Sequence, residues 1–370
     1  MSLSSTVLLV SLTMLLGCSA SDPWPKATKT RPRAEWLAEG SYGVMVHYFP
    51  TPMGNTPSEL TADFNRKLDA FDLDTFINQF EETKADWLIF TMGQNTGYFN
   101  SPNAWLDGRA AGFTPRRDLM LAIAQRVKQR GKRFIIYISA QAPQSYTPLN
   151  QLAIAEVQQA FAWDKKDLSA FTDRYLEFVK AYALKFGKLC DGWWFDGCYP
   201  TMFKPDTDWS RWTAASRAGN PDAIVAFNDG AFCAGKEKPV SPLQDYHAGE
   251  VHLLEQGRIR FDYIASIDQE VNADGYLVMK GATQPPKHYM PTAQYVDGVQ
   301  WHALVPVDST FTPTVPLKYT SYSPATLIQF VRDCRQVRGA VTYNLPVGPD
   351  GHIPPSTAEK MGLVGQGLAK

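Results

Sequence analysis

Asp196 ends a short apolar run in the stretch Cys190-Asp191-Gly192-Trp193-Trp194-Phe195-Asp196-Gly197-Cys198-Tyr199. With Asp-Gly breaks on both sides, the run from Trp193 to Phe195 reads as a buried strand that stops abruptly at a carboxylate. A carboxylate held at a strand tip against water-excluding aromatic rings can attack as a nucleophile or move a proton. The plainer reading is that Asp196 caps the next helix or orders the turn into Gly197, as Asp does in many folds.

The elements around it set the stage for that group. Gly43 to Pro50 is an apolar run stopped by proline, a first strand with His47 near its end. A helix opening at Phe71-Asp72 and running through Lys84 follows, with Asp74 in its first turn. Trp87 to Met92 is a second strand that empties into the polar loop Gly93-Gln94-Asn95-Thr96-Gly97-Tyr98. Asp118 to Arg130 has helical periodicity closed by Gly131, and Arg133 to Ser139 is a third strand. Leu168 to Phe186 is a long helix, the Trp193 run a fourth strand, and Ala223 to Phe227 a fifth that ends in Asn228-Asp229-Gly230. Shorter strands are expected near Gln244 to Tyr246 and Val299 to His302, then a helix over Thr326 to Val337 and a closing strand over Ala340 to Asn344. Strand and helix alternating this often imply a parallel sheet, and eight such units fit the length. The fold expected is therefore α/β, a single (β/α)₈ TIM-type barrel over residues 35–370, ahead of an open doubly wound sheet. No G-x-G-x-x-G follows the first strand, which argues against a dinucleotide fold.

Composition narrows the function. With 370 residues, 44% hydrophobic and 12% aromatic, the chain can bury a large core. Its 36 basic and 37 acidic residues balance to −1, and a surface that tracks phosphates needs a basic excess, so nucleic acid is not an expected partner. Ten Trp and sixteen Tyr offer flat apolar faces of the kind sugars stack on, although most such rings simply fill a core. The six His and five Cys show no metal-site spacing, and no cofactor is implied.

The amino terminus reads as an export signal. Val7 to Leu16 has the length of a signal h-region, too short for a stable membrane span. Leu15-Leu16-Gly17-Cys18 resembles a bacterial lipobox, so residues 1–18 are read as signal and 19–34 as a proline-broken tether. The protein is thus expected to be exported to the periplasm or outer membrane, touching the membrane through a lipid on Cys18. Met1 to Thr6 carries no Lys or Arg, a departure from the usual signal, and cleavage nearby would give a soluble exported protein instead. The remaining Cys190, Cys198, Cys233 and Cys334 permit two disulfides in three pairings. A Cys190–Cys198 bridge would have to span a largely extended segment, so buried free thiols are expected for some of the four.

The order of motifs resembles the α-L-fucosidases of glycoside hydrolase family 29. The stretch from Gly339 to Pro355, with Tyr343-Asn344-Leu345, Gly348-Pro349-Asp350-Gly351 and Ile353-Pro354-Pro355, is similar to that family's closing strand. Tyr42 to Tyr48 resembles its first strand, Phe71-Asp72 and Arg117-Asp118-Leu119 two of its helix starts, and Trp194-Phe195-Asp196-Gly197 the segment that bears its nucleophile. The departures fall at the sugar. Gln94-Asn95 stands where the family has a His-His pair, Asn228-Asp229 where an Arg is often found, and Trp301-His302 where a Trp-Glu supplies the acid/base. The family's C-terminal β-sandwich has no counterpart, since the chain stops soon after Pro355.

What the resemblance implies is a retaining exo-glycosidase that removes a terminal fucose-like or modified sugar from a polysaccharide or glycoconjugate. Asp196 would be the nucleophile. Glu250 or His302 would be the acid/base, Glu250 because Asp245-Tyr246-His247-Ala248-Gly249-Glu250 resembles a family stretch at a strand end, His302 because it aligns with the usual Glu and imidazole moves protons near neutral pH. His47, Gln94, Asn95, Trp194, Asn228, Asp229 and Trp301 would line the sugar pocket. The plainer readings are that Glu250 holds a neighbouring cation and His302 is a core imidazole. The alternative function is a catalytically inactive carbohydrate-binding surface lipoprotein on the same barrel.

Overall fold

A computed structural model describes residues 32–143, 151–230, 239–251, 254, 269–271, 277–279, 291–308 and 322–369. The signal, the lipobox Cys18, most of the tether and Cys233 lie outside the described residues. Of the stretch read as a tether, residues 32–34 are described. Pro32–Ala34 form a 3₁₀ turn, Ala34 is buried, and Arg33 reaches Asp245.

The strands are β1 (Gly43–Val46), β2 (Trp87–Gly93), β3 (Arg133–Ser139), β4 (Gly192–Asp196), β5 (Ile224–Phe227), β6 (Gln269–Val271), β7 (Leu277–Met279), β8 (Tyr295–Val296), β9 (Val299–Gln300), β10 (His302–Pro306) and β11 (Ala340–Leu345). The helices are α1 (Glu35–Glu39), α2 (Pro57–Asp69), α3 (Leu73–Glu82), α4 (Ala104–Asp107), α5 (Leu119–Gln129), α6 (Gln151–Phe161), α7 (Ser169–Phe186), α8 (Trp209–Ser216), α9 (Pro324–Gln336) and α10 (Pro355–Leu368). Seven strands form one parallel sheet in the order β10-β11-β1-β2-β3-β4-β5, while β6-β7 and β8-β9 are small antiparallel pairs. Residues 245–251 continue the sheet beyond β10. Tyr246 and Glu250 make parallel bridges to Gln300 and Leu304, and Asp245 N–H donates to Val225 O in β5 at 2.8 Å. The expected eight-stranded barrel is thus present as a curled, seven-stranded parallel sheet with helical crossovers.

Local chemistry explains the elements. Asp72 and Asp118 cap α3 and α5 with side-chain oxygens on the Thr75 and Leu121 amides. Thr56 and Glu59 form a reciprocal capping box at the start of α2, with Pro57 in its first turn. In α7, Phe171, Tyr175, Phe178, Tyr182 and Phe186 recur at helical spacing and are all buried against the sheet.

Alternation along the strands sorts side chains into two cores. Val44, Phe134, Ile136, Trp193, Phe195, Val225 and Phe227 belong to the large layer under the helices. Met45, Ile135, Tyr137, Trp194, Ala226, Ala248 and Leu304 belong to a smaller cluster on the concave face. Continuing each concave row two residues toward the carboxyl end leads from Met45 to His47, from Trp194 to Asp196, from Ala226 to Asn228 and from Ala248 to Glu250. Parallel strands therefore deliver these polar groups to one rim of the sheet.

Candidate active site

Asp196 is the last residue of β4, paired with Ser139 at the tip of β3. Tyr137 Oη donates to Asp196 Oδ2 at 2.5 Å, and Asn228 Nδ2 donates to Asp196 Oδ1 at 2.8 Å. The same Asn228 Nδ2 donates to Glu250 Oε2 at 2.6 Å. The two carboxylates thus share one donor, and the partners described for Asp196 are side chains rather than the amides of a following helix. Its carboxylate does not cap α8, which is capped by Asp208.

Backbone geometry brings Glu250 there. Gly249 has φ +68°, and a Cβ on it would stand 2.0 Å from the His302 carbonyl oxygen, so only glycine permits so close a pass against β10. Leu304 N–H donates to Gly249 O at 2.7 Å and Val251 N–H to Leu304 O at 3.0 Å, which pins the residues on both sides of Glu250.

Tyr137 is 1% exposed and stacks on Trp194 at 5.1 Å between ring centroids. Burial first, then the neighbouring Asp196 charge, hold its phenol well above the ordinary tyrosine range, so it keeps its proton and donates. Gln94 Nε2 donates to the Tyr137 oxygen at 2.6 Å and lies 3.2 Å from His47 Nε2. His47, just past β1, packs its ring on Phe49 and Tyr137, each at 4.7 Å. Asn95 is tied to the tip of β3 by a hydrogen bond from Ser139 Oγ. Asp229 follows Asn228, and its charge adds to burial and to that of Asp196 in pushing the Cys198 thiol up. Cys190, Cys198 and Cys334 are free and buried.

The structure does not bring His302 and Trp301 to this cluster. β10 runs parallel to its neighbours and begins at His302, so both residues sit at the end of the sheet opposite Asp196. His302 is fully buried; its Nε2 is 2.7 Å from Thr342 Oγ1, and its Nδ1 is 3.0 Å from His247 O. Burial lowers its pKa to about 4, which leaves a neutral core imidazole in place of the expected proton donor. Trp301 is 2% exposed in the layer under the helices. Trp194 is likewise 2% exposed, with its indole N–H on Ala248 O at 3.2 Å, so it supports Tyr137 from below rather than offering a face to a sugar.

Tyr137 is the residue that sequence reading missed. Its signal was available: in Arg133-Phe134-Ile135-Ile136-Tyr137-Ile138-Ser139 it is the hydroxyl-bearing ring in the row of Ile135 and Ser139, two positions from the strand tip.

Residues 111–240 match the family model described as Mef1, endo-alpha(1,4)-fucoidanase Mef1. Among curated protein sequences none matches the chain. Similar solved structures include endo-fucoidan hydrolase MfFcnA4 from glycoside hydrolase family 107, at 17% identity and TM-score 0.60, with 90% of this chain and 53% of that chain covered. Another is endo-fucoidan hydrolase P5AFcnA of the same family, at 13% identity and TM-score 0.58, covering 92% and 94%. A third is alpha-L-fucosidase AlfC from Lactobacillus casei in complex with alpha-L-fucose product, at 13% identity and TM-score 0.57, covering 91% and 98%. The chain spans about half the length of MfFcnA4. At these identities the likenesses establish the fold.

Proposed function

We propose that the chain is a retaining glycoside hydrolase of α-L-fucosyl linkages in a polysaccharide or glycoconjugate, with Asp196 as nucleophile and Glu250 as acid/base. The observation that carries this reading is the shared Asn228 donor. Oδ1 of Asp196 and Oε2 of Glu250 lie no further apart than the 2.8 and 2.6 Å bonds laid end to end. That bound lies below the roughly 6.5–9.5 Å that leaves room for a water in an inverting site, and so favours the closer pair of a retaining one.

In the first step Asp196 attacks the anomeric carbon as the bond to the leaving oxygen breaks and Glu250 protonates that oxygen. In the second, Glu250 takes a proton from water, whose oxygen displaces the Asp196 ester from the same carbon. His47, Asn95 and Asp229 supply hydrogen-bonding groups to the sugar hydroxyls, while the amides of Gln94 and Asn228 hold the groups around the two acids. The stretch of residues 245–251 serves as the eighth strand position of a (β/α)₈ barrel. Export and a lipid on Cys18 would place the enzyme where extracellular carbohydrate reaches it.

We take cleavage within a fucan chain as the first reading, because the matched residues 111–240 include Tyr137, Asp196 and Asn228. Release of a terminal sugar is the second, favoured by the motif order and by coverage of 98% of the AlfC chain. Incubating the full chain with fucoidan and with an aryl α-L-fucoside, and sizing the products, separates them. Shortened chains and oligosaccharides without free fucose support internal cleavage; free fucose from both substrates supports terminal release. Binding of fucoidan with no hydrolysis of either would overturn the enzyme reading in favour of a carbohydrate-binding protein.

A further inference from the structure

Gln94 departs from the family resemblance, which expects histidine at its position, and its geometry assigns protons around the nucleophile. Asn95 N–H donates to Gln94 Oε1 at 3.0 Å. A backbone N–H can only donate, so the amide oxygen must face it, and the amide cannot be turned over without setting donor against donor. Nε2 therefore carries its two protons toward the two remaining neighbours, His47 Nε2 at 3.2 Å and the Tyr137 oxygen at 2.6 Å. An imidazole nitrogen that accepts has no proton, so the proton of a neutral His47 sits on Nδ1. A phenol that accepts from Gln94 has its own proton free for one other partner, and Asp196 Oδ2 lies 2.5 Å away.

We infer that Gln94 is a positioning residue that fixes His47 as the Nδ1–H tautomer and commits the phenolic proton of Tyr137 to Asp196. Its importance for turnover rests on the hydrolase reading; the proton pattern itself does not. Held this way, Asp196 Oδ2 has one fixed donor before substrate arrives, so no reorganisation of that bond accompanies attack.

Long-range nitrogen–proton spectra of the full chain labelled with ¹⁵N-histidine test the assignment, the His47 signals being identified by their loss in His47→Gln. The expected wild-type pattern is Nδ1–H at His47. Gln94→Met keeps the volume and removes both donors; it should move the ring toward the Nε2–H form and lower kcat by about tenfold, with a smaller change in KM. An Nε2–H ring in the wild type, or a tautomer and kcat unchanged in Gln94→Met, overturns the inference. An Nδ1–H ring in a protein without turnover supports the proton pattern and counts against the hydrolase reading alone. An Nε2–H ring in an active enzyme counts against the pattern alone. Should Gln94→Met fail to fold, the wild-type spectrum decides.

Discussion

Asp196 and Glu250 are held by a single amide, that of Asn228, which gives one proton to each carboxylate. Gly230 N–H donates to Asn228 Oδ1 at 3.2 Å, so the NH₂ end must face the carboxylates. Asn228 is 2% exposed, and the Asp196 carboxylate gains a charge-assisted bond in a setting where such bonds are strong. Asn228→Asp would replace that donor with a third acid between two others. The expected result is a fall of about a hundredfold or more in kcat/KM at neutral pH, with the acid limb of the rate profile moved to higher pH. Asn228→Ala should fall less and leave the limb nearly in place. Equal losses and unmoved profiles in both variants would mean that Asn228 only fills space.

Tyr137→Phe removes the donor to Oδ2 together with the acceptor of Gln94. The ring keeps its stack on Trp194 and its contact with His47, so the fold should survive with a stability loss of about 1–2 kcal/mol, measurable by urea unfolding. Turnover should drop about tenfold or more, with the effect on kcat, because the lost bond orients the attacking group. A Phe variant with unchanged kcat would remove Tyr137 from the mechanism.

Removing the carboxylates themselves should separate their roles. Asp196→Ala should abolish hydrolysis, and azide should restore turnover by delivering a glycosyl azide of inverted configuration. Glu250→Ala should slow substrates with poor leaving groups far more than those with good ones, since only the former need the proton. Retained hydrolysis in Asp196→Ala, or a leaving-group dependence that appears in His302→Gln and not in Glu250→Ala, would reverse these assignments.

The sheet was legible in the sequence because its strands are short apolar runs with sharp stops. Arg133–Ser139 is the third strand as read, and β1, β2, β4, β5 and β11 shift by a few residues at their ends, but the reading met β10 only at His302, and the strand expected near Gln244 to Tyr246 is a single bridge at Tyr246. Helices α1, α2, α4, α6, α8 and α10 went unread; in α2 the mean character is polar and only Leu60, Phe64, Asn65 and Leu68 are buried, a thin apolar stripe. At the site, His47, Asn228 and Glu250 were legible as polar groups at strand ends. Trp301 and His302 were misplaced because motif alignment carried over a dipeptide without its strand direction: β10 starts where the reading expected a strand to finish. Tyr137 was hidden inside an apolar run, where only the two-residue alternation marks which face it takes.

His302 gives a stability test that is independent of catalysis. Its folded pKa, about 4, lies below the ordinary value of 6.5 because the ring is buried, while its nitrogens meet backbone carbonyls and Thr342 Oγ1. Between those values the unfolded chain binds a proton that the folded chain does not, so the stability associated with this ring is full above about pH 6.5 and is lost as pH falls toward 4. A shift of that size corresponds to about 3 kcal/mol between the two ends of the window. Urea unfolding of the wild type and of His302→Gln from pH 4 to 8 should show the variant less stable at pH 8, with the difference narrowing by about that amount toward pH 4. A gap between the two that stays constant with pH would mean that His302 takes up its proton alike in the folded and unfolded chain, and that the imidazole is not sealed into the base of the sheet.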